Sequence, residues 1–292
     1  LVSIRVSQDE ETLVYYQPEK EGIPEIPDPA KAAKDPSEIM HIEELLLTGL
    51  HLEQYRHATY LPDPYYLEGL KRDPGDSRIN CAYGMLLLRR GRPELAEPYF
   101  RTAIKRLTDK NPNPYNSEAY YDLGLCLLLL GREDEAYDAF YKATWSAEQQ
   151  NMAFYYLAAI NCRRGDYAAA LQMIEKSLIS NSHNIKARAL KAIILRKLRL
   201  VKKASDWVAL NLEIDPFDYV SAFEAQKLNM ALIDEKELER RIRRENFNLL
   251  RAARDYAEAG CYSEALEVLN HTDKDMPLIA YYKAYYLSKL GN

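Results

Sequence analysis

An all-α solenoid of antiparallel helix pairs, preceded by a short β-hairpin and a proline-rich linker, is the fold class the sequence predicts. Three observations predict it. Helical spacing of apolar residues starts after Ser37 and continues to the C-terminus. Small residues recur at a fixed period, with Ala136, Ala170 and Ala204 each 34 apart. Prolines crowd ahead of that array: Pro18, Pro24, Pro27, Pro29 and Pro36 are five of the chain's 14.

Residues 1–17 alternate and are rich in Val, Ile, Thr and Tyr, so they read as two strands around a turn near Gln8–Glu11. Two strands alone are barely stable in water. The segment is expected to end an upstream β domain or to lean on the helices. Residues 18–36 hold too many prolines for a helix or a central strand and form an extended linker. Ser37 is the expected N-cap of the first helix.

Within 37–292 the runs "YGMLLLRRGRPELAEPYFRTAI", "LGLCLLLLGREDEAYDAFYKAT" and "LAAINCRRGDYAAALQMIEKSL" align. Gly91, Gly131 and Gly165 coincide, as do Ala96, Ala136 and Ala170. The step from Ala96 to Ala136 is 40, the six extra residues falling in the loop "TDKNPNPY". Each unit reads as two helices that cross closely at small residues: Gly84 against Ala96, Gly124 against Ala136. Phe100, Phe140 and Ile174 point toward the next unit. One unit cannot bury its apolar face alone, so units stack. Expected units lie near 43–76, 77–110, 117–150, 151–184, 185–218 and 246–279, with a half repeat at 280–292. In the first, Gly49 is displaced and Pro62 replaces the usual alanine. Residues 219–245 break the period with a charged helix carrying Glu237–Arg241 and Glu239–Arg243 pairs.

This skeleton resembles the tetratricopeptide repeat, best in Tyr120, Leu123, Gly124, Leu127, Gly131, Ala136, Phe140 and Ala143. The resemblance implies a right-handed superhelix. The runs "LTGLHLEQYRHAT", "RDPGD", "NPNPY" and "AYDAFYKATWS" are similar more narrowly to large bacterial proteins of unassigned function. Those carry an N-terminal aldose-epimerase-like β-sandwich before such repeats, and the strands at 1–17 would be its remnant. Leu1 stands where Met would, so the chain reads as part of a longer polypeptide.

Composition and motifs narrow the function. Residues 1–40 hold nine acids and four bases, which leaves 44 − 9 = 35 acids and 39 − 4 = 35 bases in the remainder. Nucleic-acid binding by bulk charge is therefore not expected. The longest apolar run, Leu123–Leu130, is too short to span a bilayer, which needs roughly 20 residues. Cys81, Cys126, Cys162 and Cys261 form no CxxC and read as buried reduced thiols, which favours a reducing compartment, so a cytoplasmic location is expected. The five histidines lack helical metal-pair spacing, although His57 could pair with Glu53. No nucleophile elbow, phosphate loop or dinucleotide fingerprint is present, and Glu133, Asp134 and Glu135 open a helix where they complement its dipole. The segment is expected to be no enzyme and to need no cofactor.

The resemblance also implies that first helices line a concave groove. That places Tyr55, Arg78, Arg89, Tyr121, Leu125, Tyr155, Arg163, Arg196 and Lys197 there, with acids limited to Glu44 and Glu118. A groove of tyrosines and bases suits a protein or peptide segment with carboxylates, or a neighbouring domain of the same chain. Such residues would stand outside the interhelical core, so that truncating Tyr121 and Arg163 would leave stability unchanged. A noncatalytic interaction scaffold is the leading expectation. The alternative is an accessory helical domain of a larger carbohydrate-binding or carbohydrate-active protein. The terminal helix, with Ile279, Tyr282, Tyr286, Leu287 and Leu290, is expected to pack against a second copy or further sequence.

Overall fold

The computed structural model describes residues 2–18, 31–55, 59–242, 245–272 and 276–291. An antiparallel hairpin, β1 (Ile4–Gln8) and β2 (Glu11–Tyr16), comes first. Its turn residues Asp9 and Glu10 both have positive φ, 47° and 74°, the backbone that a two-residue hairpin turn requires. Every residue of both strands is exposed. The hairpin therefore does not lean on the helices.

Most of the expected linker, including Pro24, Pro27 and Pro29, lies outside the described residues, as does His57. The linker's C-terminal part is tied down. Tyr65 Oη donates to the Lys34 carbonyl at 2.9 Å, and Arg72 donates to the carbonyls of Ile39 and Pro36 at 2.5 and 3.1 Å. Ser37 caps no α-helix. It lies in a 3₁₀ turn, Pro36–Glu38, capped by Asp35, and the first α-helix starts at Ile42.

Fifteen α-helices follow among the described residues. They run as α1 (Ile42–Gln54), α2 (Asp63–Arg72), α3 (Ser77–Arg89), α4 (Pro93–Thr108), α5 (Glu118–Leu129), α6 (Glu133–Ala143), α7 (Ala147–Arg163) and α8 (Tyr167–Ser180). The array continues as α9 (Ile185–Lys197), α10 (Val201–Ile214), α11 (Tyr219–Lys227), α12 (Glu235–Ile242), α13 (Asn246–Glu258), α14 (Tyr262–Leu269) and α15 (Pro277–Lys289). The period-breaking stretch is itself a helix pair, α11 and α12, with Arg241 Nε 2.7 Å from Glu237. The expected Glu239–Arg243 pair falls outside the described residues.

First helices end alike. Gly91, Gly131, Gly165 and Gly260 take φ of 70–78°, and beyond each the chain closes a six-residue loop onto the helix, as in Arg132 N to Leu127 O at 2.9 Å. This cap satisfies carbonyls that the helix end would leave bare. Arg199 and Asn229 occupy the same place at φ 58° and 53°, with Leu200 N reaching Leu195 O at 3.0 Å and Met230 N reaching Ala225 O at 2.9 Å. Position in the repeat, more than residue type, sets that backbone.

Seven residues before each cap stands a small residue, and sixteen residues after that stands a bulky one. Gly84, Gly124, Ala158, Ala192, Ala222 and Ala253 are all buried in this place. They are answered by Phe100, Phe140, Ile174, Val208, Leu238 and Leu269, each 0 % exposed. The glycines thus make room for the phenylalanine rings of the second helix, a closer fit than the expected match with Ala96 and Ala136. A Cβ on Gly84 would lie 2.6 Å from Phe100 Cε1, and one on Gly124 2.7 Å from Phe140 Cε1. The displaced Gly49 serves the same end under Tyr66, one residue of added loop having shifted it.

Gly124→Leu should therefore unfold the central repeats. Overpacking costs about 1–3 kcal/mol in a core that can adjust, and here the helix backbone itself must retreat. Thermal circular dichroism should show a lower midpoint and lost cooperativity. A midpoint within a degree of wild type would refute this account of the crossing.

Candidate functional site

The first helices α1, α3, α5, α7 and α9 carry all the residues expected in the groove, Tyr55 standing at the C-terminal end of α1. The structure divides these residues into two groups. On the N-terminal side Tyr55 is 68 % exposed and lies beside His51, ring centroids 4.6 Å apart. Arg78 pairs with Glu43 and Arg89 with Glu53, yet their side chains remain 51 % and 55 % exposed. Tyr121 is half-buried, edge-on to Phe140 at 5.8 Å, and Leu125 is half-buried beside it. These five keep surface that another molecule can reach.

Of the other four, Tyr155 is buried rather than open, and Arg163, Arg196 and Lys197 are half-buried and paired with residues of α13, α11 and α14. Tyr155 is 2 % exposed and its hydroxyl donates to Glu258 Oε2 at 2.6 Å. Burial, with the Glu258 charge adding to it, raises that phenol well above its ordinary range. Arg163 donates to Glu133 Oε2 and to the Glu258 carbonyl, both at 2.5 Å. Arg196 grips Glu224 through two bonds of 2.6 and 3.0 Å and reaches Glu264 at 3.1 Å. Lys197 meets Glu264 at 2.5 Å. Glu224 is fully buried and also accepts from Tyr256 Oη at 2.7 Å.

Lys186 completes this closure with Glu258 at 3.1 Å and Asp255 at 3.3 Å. Burial would lower the lysine, but the two carboxylates outweigh it and hold it raised. The excess of groove bases read from the sequence is therefore matched by acids in the fold. Some matches recur at about the repeat period, such as Glu43–Arg78, Glu53–Arg89 and Glu97–Arg132, 35 to 36 residues apart. That spacing is a signal the sequence carries. Glu258 has no such signal, since it lies 95 residues from Arg163 and 103 from Tyr155.

Where α13 and α15 approach the C-terminal end of α5, an open cleft of about 740 Å³ remains, with Leu129, Arg163, Tyr281 and Tyr285 in its walls. Among the described residues no three His, Cys, Asp or Glu side chains cluster as metal ligands would, and no helix is long and apolar enough to cross a membrane. All four cysteines are buried and free, and burial pushes the Cys126 thiol up to about 11.

Asp122 on α5 is 4 % exposed, and its Oδ2 has no hydrogen-bond partner. Burial pushes its carboxyl up to about 8, Glu118 adds to the shift and Arg89 opposes it. The folded chain thus holds this proton more tightly than the unfolded chain, whose carboxyl titrates near 3.8. Its contribution to stability is complete at acid pH and is lost as pH rises toward 8. Asp122→Asn should remove that loss, so the variant gains on wild type between pH 5 and pH 8 in thermal melts. Parallel pH profiles would refute the burial of an acid there.

Arg163→Ala should lower stability by about 2 kcal/mol, as expected when a charged hydrogen-bonding group is removed from partly buried partners. This reverses the expectation that the position is neutral. Urea unfolding checks it, and an unchanged midpoint would mean that α13 does not depend on the contact.

A family model described as tetratricopeptide repeat matches residues 64–112 and 81–153. Among solved structures, pilF of Pseudomonas aeruginosa superposes with a TM-score of 0.58 at 19 % identity, over 76 % of this chain and 96 % of that one. A tetratricopeptide repeat protein from Parabacteroides merdae gives 0.57 at 12 % identity, over 84 % and 98 %. The C-terminal part of a TPR repeat-containing protein from Cytophaga hutchinsonii gives 0.55 at 12 % identity, over 82 % and 97 %. The model for this repeat thus matches residues 64–153, and the fold of the helical array is that of a tetratricopeptide-repeat solenoid.

Proposed function

We propose that the chain is a noncatalytic interaction scaffold that holds an acidic protein or peptide segment against the N-terminal half of its groove. The contact face is Tyr55, Arg78, Arg89, Tyr121 and Leu125. The observation that carries this reading is the contrast in exposure. Arg78 and Arg89 are more than half exposed although paired, while Arg163 and Arg196 are 20 % and 19 % exposed and fixed by internal acids. The Arg78–Glu43 pair is exposed on both sides and contributes little to folding, so a partner carboxylate can exchange for Glu43 at small cost. Tyrosine and arginine are also the side chains that most often dominate protein contacts. In this reading Tyr155, Arg163, Arg196 and Lys197 form the closed end that sets the groove's length.

A second reading, the accessory domain of a larger carbohydrate-binding or carbohydrate-active protein, draws on the hairpin. Its apolar side chains, including Val6, Leu13, Val14 and Tyr16, are all at least half exposed, and an aldose-epimerase-like sandwich would cover them. Sugar-array binding by a longer polypeptide that contains this chain would favour it.

The first reading is tested with an array of acidic peptides. The double variant Tyr55→Ala with Arg78→Ala should retain its thermal midpoint and lose affinity by about tenfold or more, since hot-spot truncations cost roughly 2 kcal/mol. Retention should also fall as salt is raised. Equal retention by wild type and variant would remove this face from consideration and leave the docking of a neighbouring domain.

A further inference from the structure

The cleft between α13, α15 and the C-terminal end of α5 is walled by tyrosine. Tyr286, 2 % exposed, lines it, with the rings of Tyr262, Tyr282 and Tyr285 at 6.0, 5.8 and 5.8 Å from its own. Tyr281 stands beside Tyr282 at 5.6 Å. None of these five hydroxyls has a hydrogen-bond partner among the described residues, whereas those of Tyr65, Tyr155 and Tyr256 are all engaged. Cations are also left over. Glu133 and Glu258 are held by Arg163, Tyr155 and Lys186. The Arg254 side chain is 67 % exposed, 3.7 Å from Glu258, and Lys289 is exposed with its Nζ 5.3 Å from the centre of the Tyr285 ring. This side of α15 is not one that a following helix pair would cover. Tyr281 and Tyr285 correspond to Tyr121 and Leu125, which are only half-buried although α6 packs on α5.

We propose that this cleft binds the proline-rich segment, residues 18–29, of a second copy of the chain. Aromatic rings with free phenol donors suit a polyproline II helix. Its prolines pack on the ring faces, and its carbonyls, which make no internal hydrogen bonds, accept from the hydroxyls. In "PEKEGIPEIPDP" Pro24 and Pro27 are three apart, so three residues per turn put both on one edge. Glu25 and Asp28 share the next edge, and the segment holds four acids against Lys20, which complements Arg254 and Lys289. Reach assigns the segment to another copy. Lys31 stands near His51 and Leu52, toward the C-terminal end of α1. The two steps from α1 through α3 to α5 cover about 20 Å. The four residues from Lys31 back to Pro27 span about 14 Å when fully extended. The contact is therefore heterologous, segment to cleft, and links copies head to tail. It lies apart from Tyr55 and Arg78 and does not rest on what that face binds.

Sedimentation of the full chain tests the proposal. Mass should rise with concentration up to about 1 mM. Tyr281→Ala with Tyr285→Ala should remove that association, and so should Pro24→Ser with Pro27→Ser. Tyr55→Ala with Arg78→Ala should leave it unchanged. Tyr281 and Tyr285 are exposed and the two prolines precede the helices, so circular dichroism should show the fold intact in each variant. An equimolar mixture of the tyrosine and proline variants should again form dimers, because one keeps its segment and the other its cleft. A chain that stays monomeric up to about 1 mM, association indifferent to the proline pair, or a mixture that fails to pair overturns the proposal. Association lost in the Tyr55–Arg78 variant also overturns it and gives the segment to the groove.

Discussion

The close approach of paired helices at one small residue is the constraint on which the solenoid depends. Where Gly124 meets the Phe140 ring, the backbone of α5 has no room for a Cβ. The same contact recurs with Ala158 under Ile174 and Ala253 under Leu269, where the second-helix residue is aliphatic and a methyl fits. The first helix thus sets how deep the second can sink, and the bulky residue sets how wide the unit must be. Repetition of one contact carries the array from Tyr66 to Leu269. Because each pair leaves its outer face to the next, burial carries from one pair to the next, and from Tyr155 to Tyr286 the buried residues form one core.

Charge then decides how much of the concave side remains open. The C-terminal helices bring Glu224, Asp255, Glu258 and Glu264 onto Tyr155, Arg163, Lys186, Arg196 and Lys197. A pair such as Arg196–Glu224 is expensive to desolvate and is held here by several hydrogen bonds, including one from Tyr256. It contributes geometry more than net energy, because either partner left alone would be a buried charge. Arg89 and Tyr55 lie beyond the reach of these acids. That is why Arg89 and Tyr55 differ in availability from Arg163 and Tyr155, although the sequence presents them as equivalents.

Much of the fold is legible residue by residue. Gly131 and Gly165 mark the ends of first helices because a left-handed cap favours glycine, and the spacing from Ala136 to Ala204 marks the period. The hairpin at 4–16 is legible in its alternation. Ser37 misleads because a serine before a helical pattern reads as a cap, whereas Asp35 takes the local hydrogen bond. Ala136 reads as the crossing partner of Gly124, and Phe140 is the true one, because sequence gives the small residues of both helices but not which residue lies over the other. In the groove, Arg78 and Arg89 are legible as first-helix residues, while the acids that answer their fellows are not.

By itself the sequence determined the local and periodic features: which segments are helical, where each ends, and how one pair packs on the next. Helix ends and the stacking period depend on contacts at or within one repeat length, and a periodic pattern records their spacing, though not which side chain lies over which. Only the tertiary structure decided which of these side chains stay exposed. Glu258 meets Tyr155 and Arg163 across about a hundred residues because small rotations between successive pairs accumulate into a closing superhelix. No residue type or spacing encodes that sum. It emerges from the packing of all the units between them.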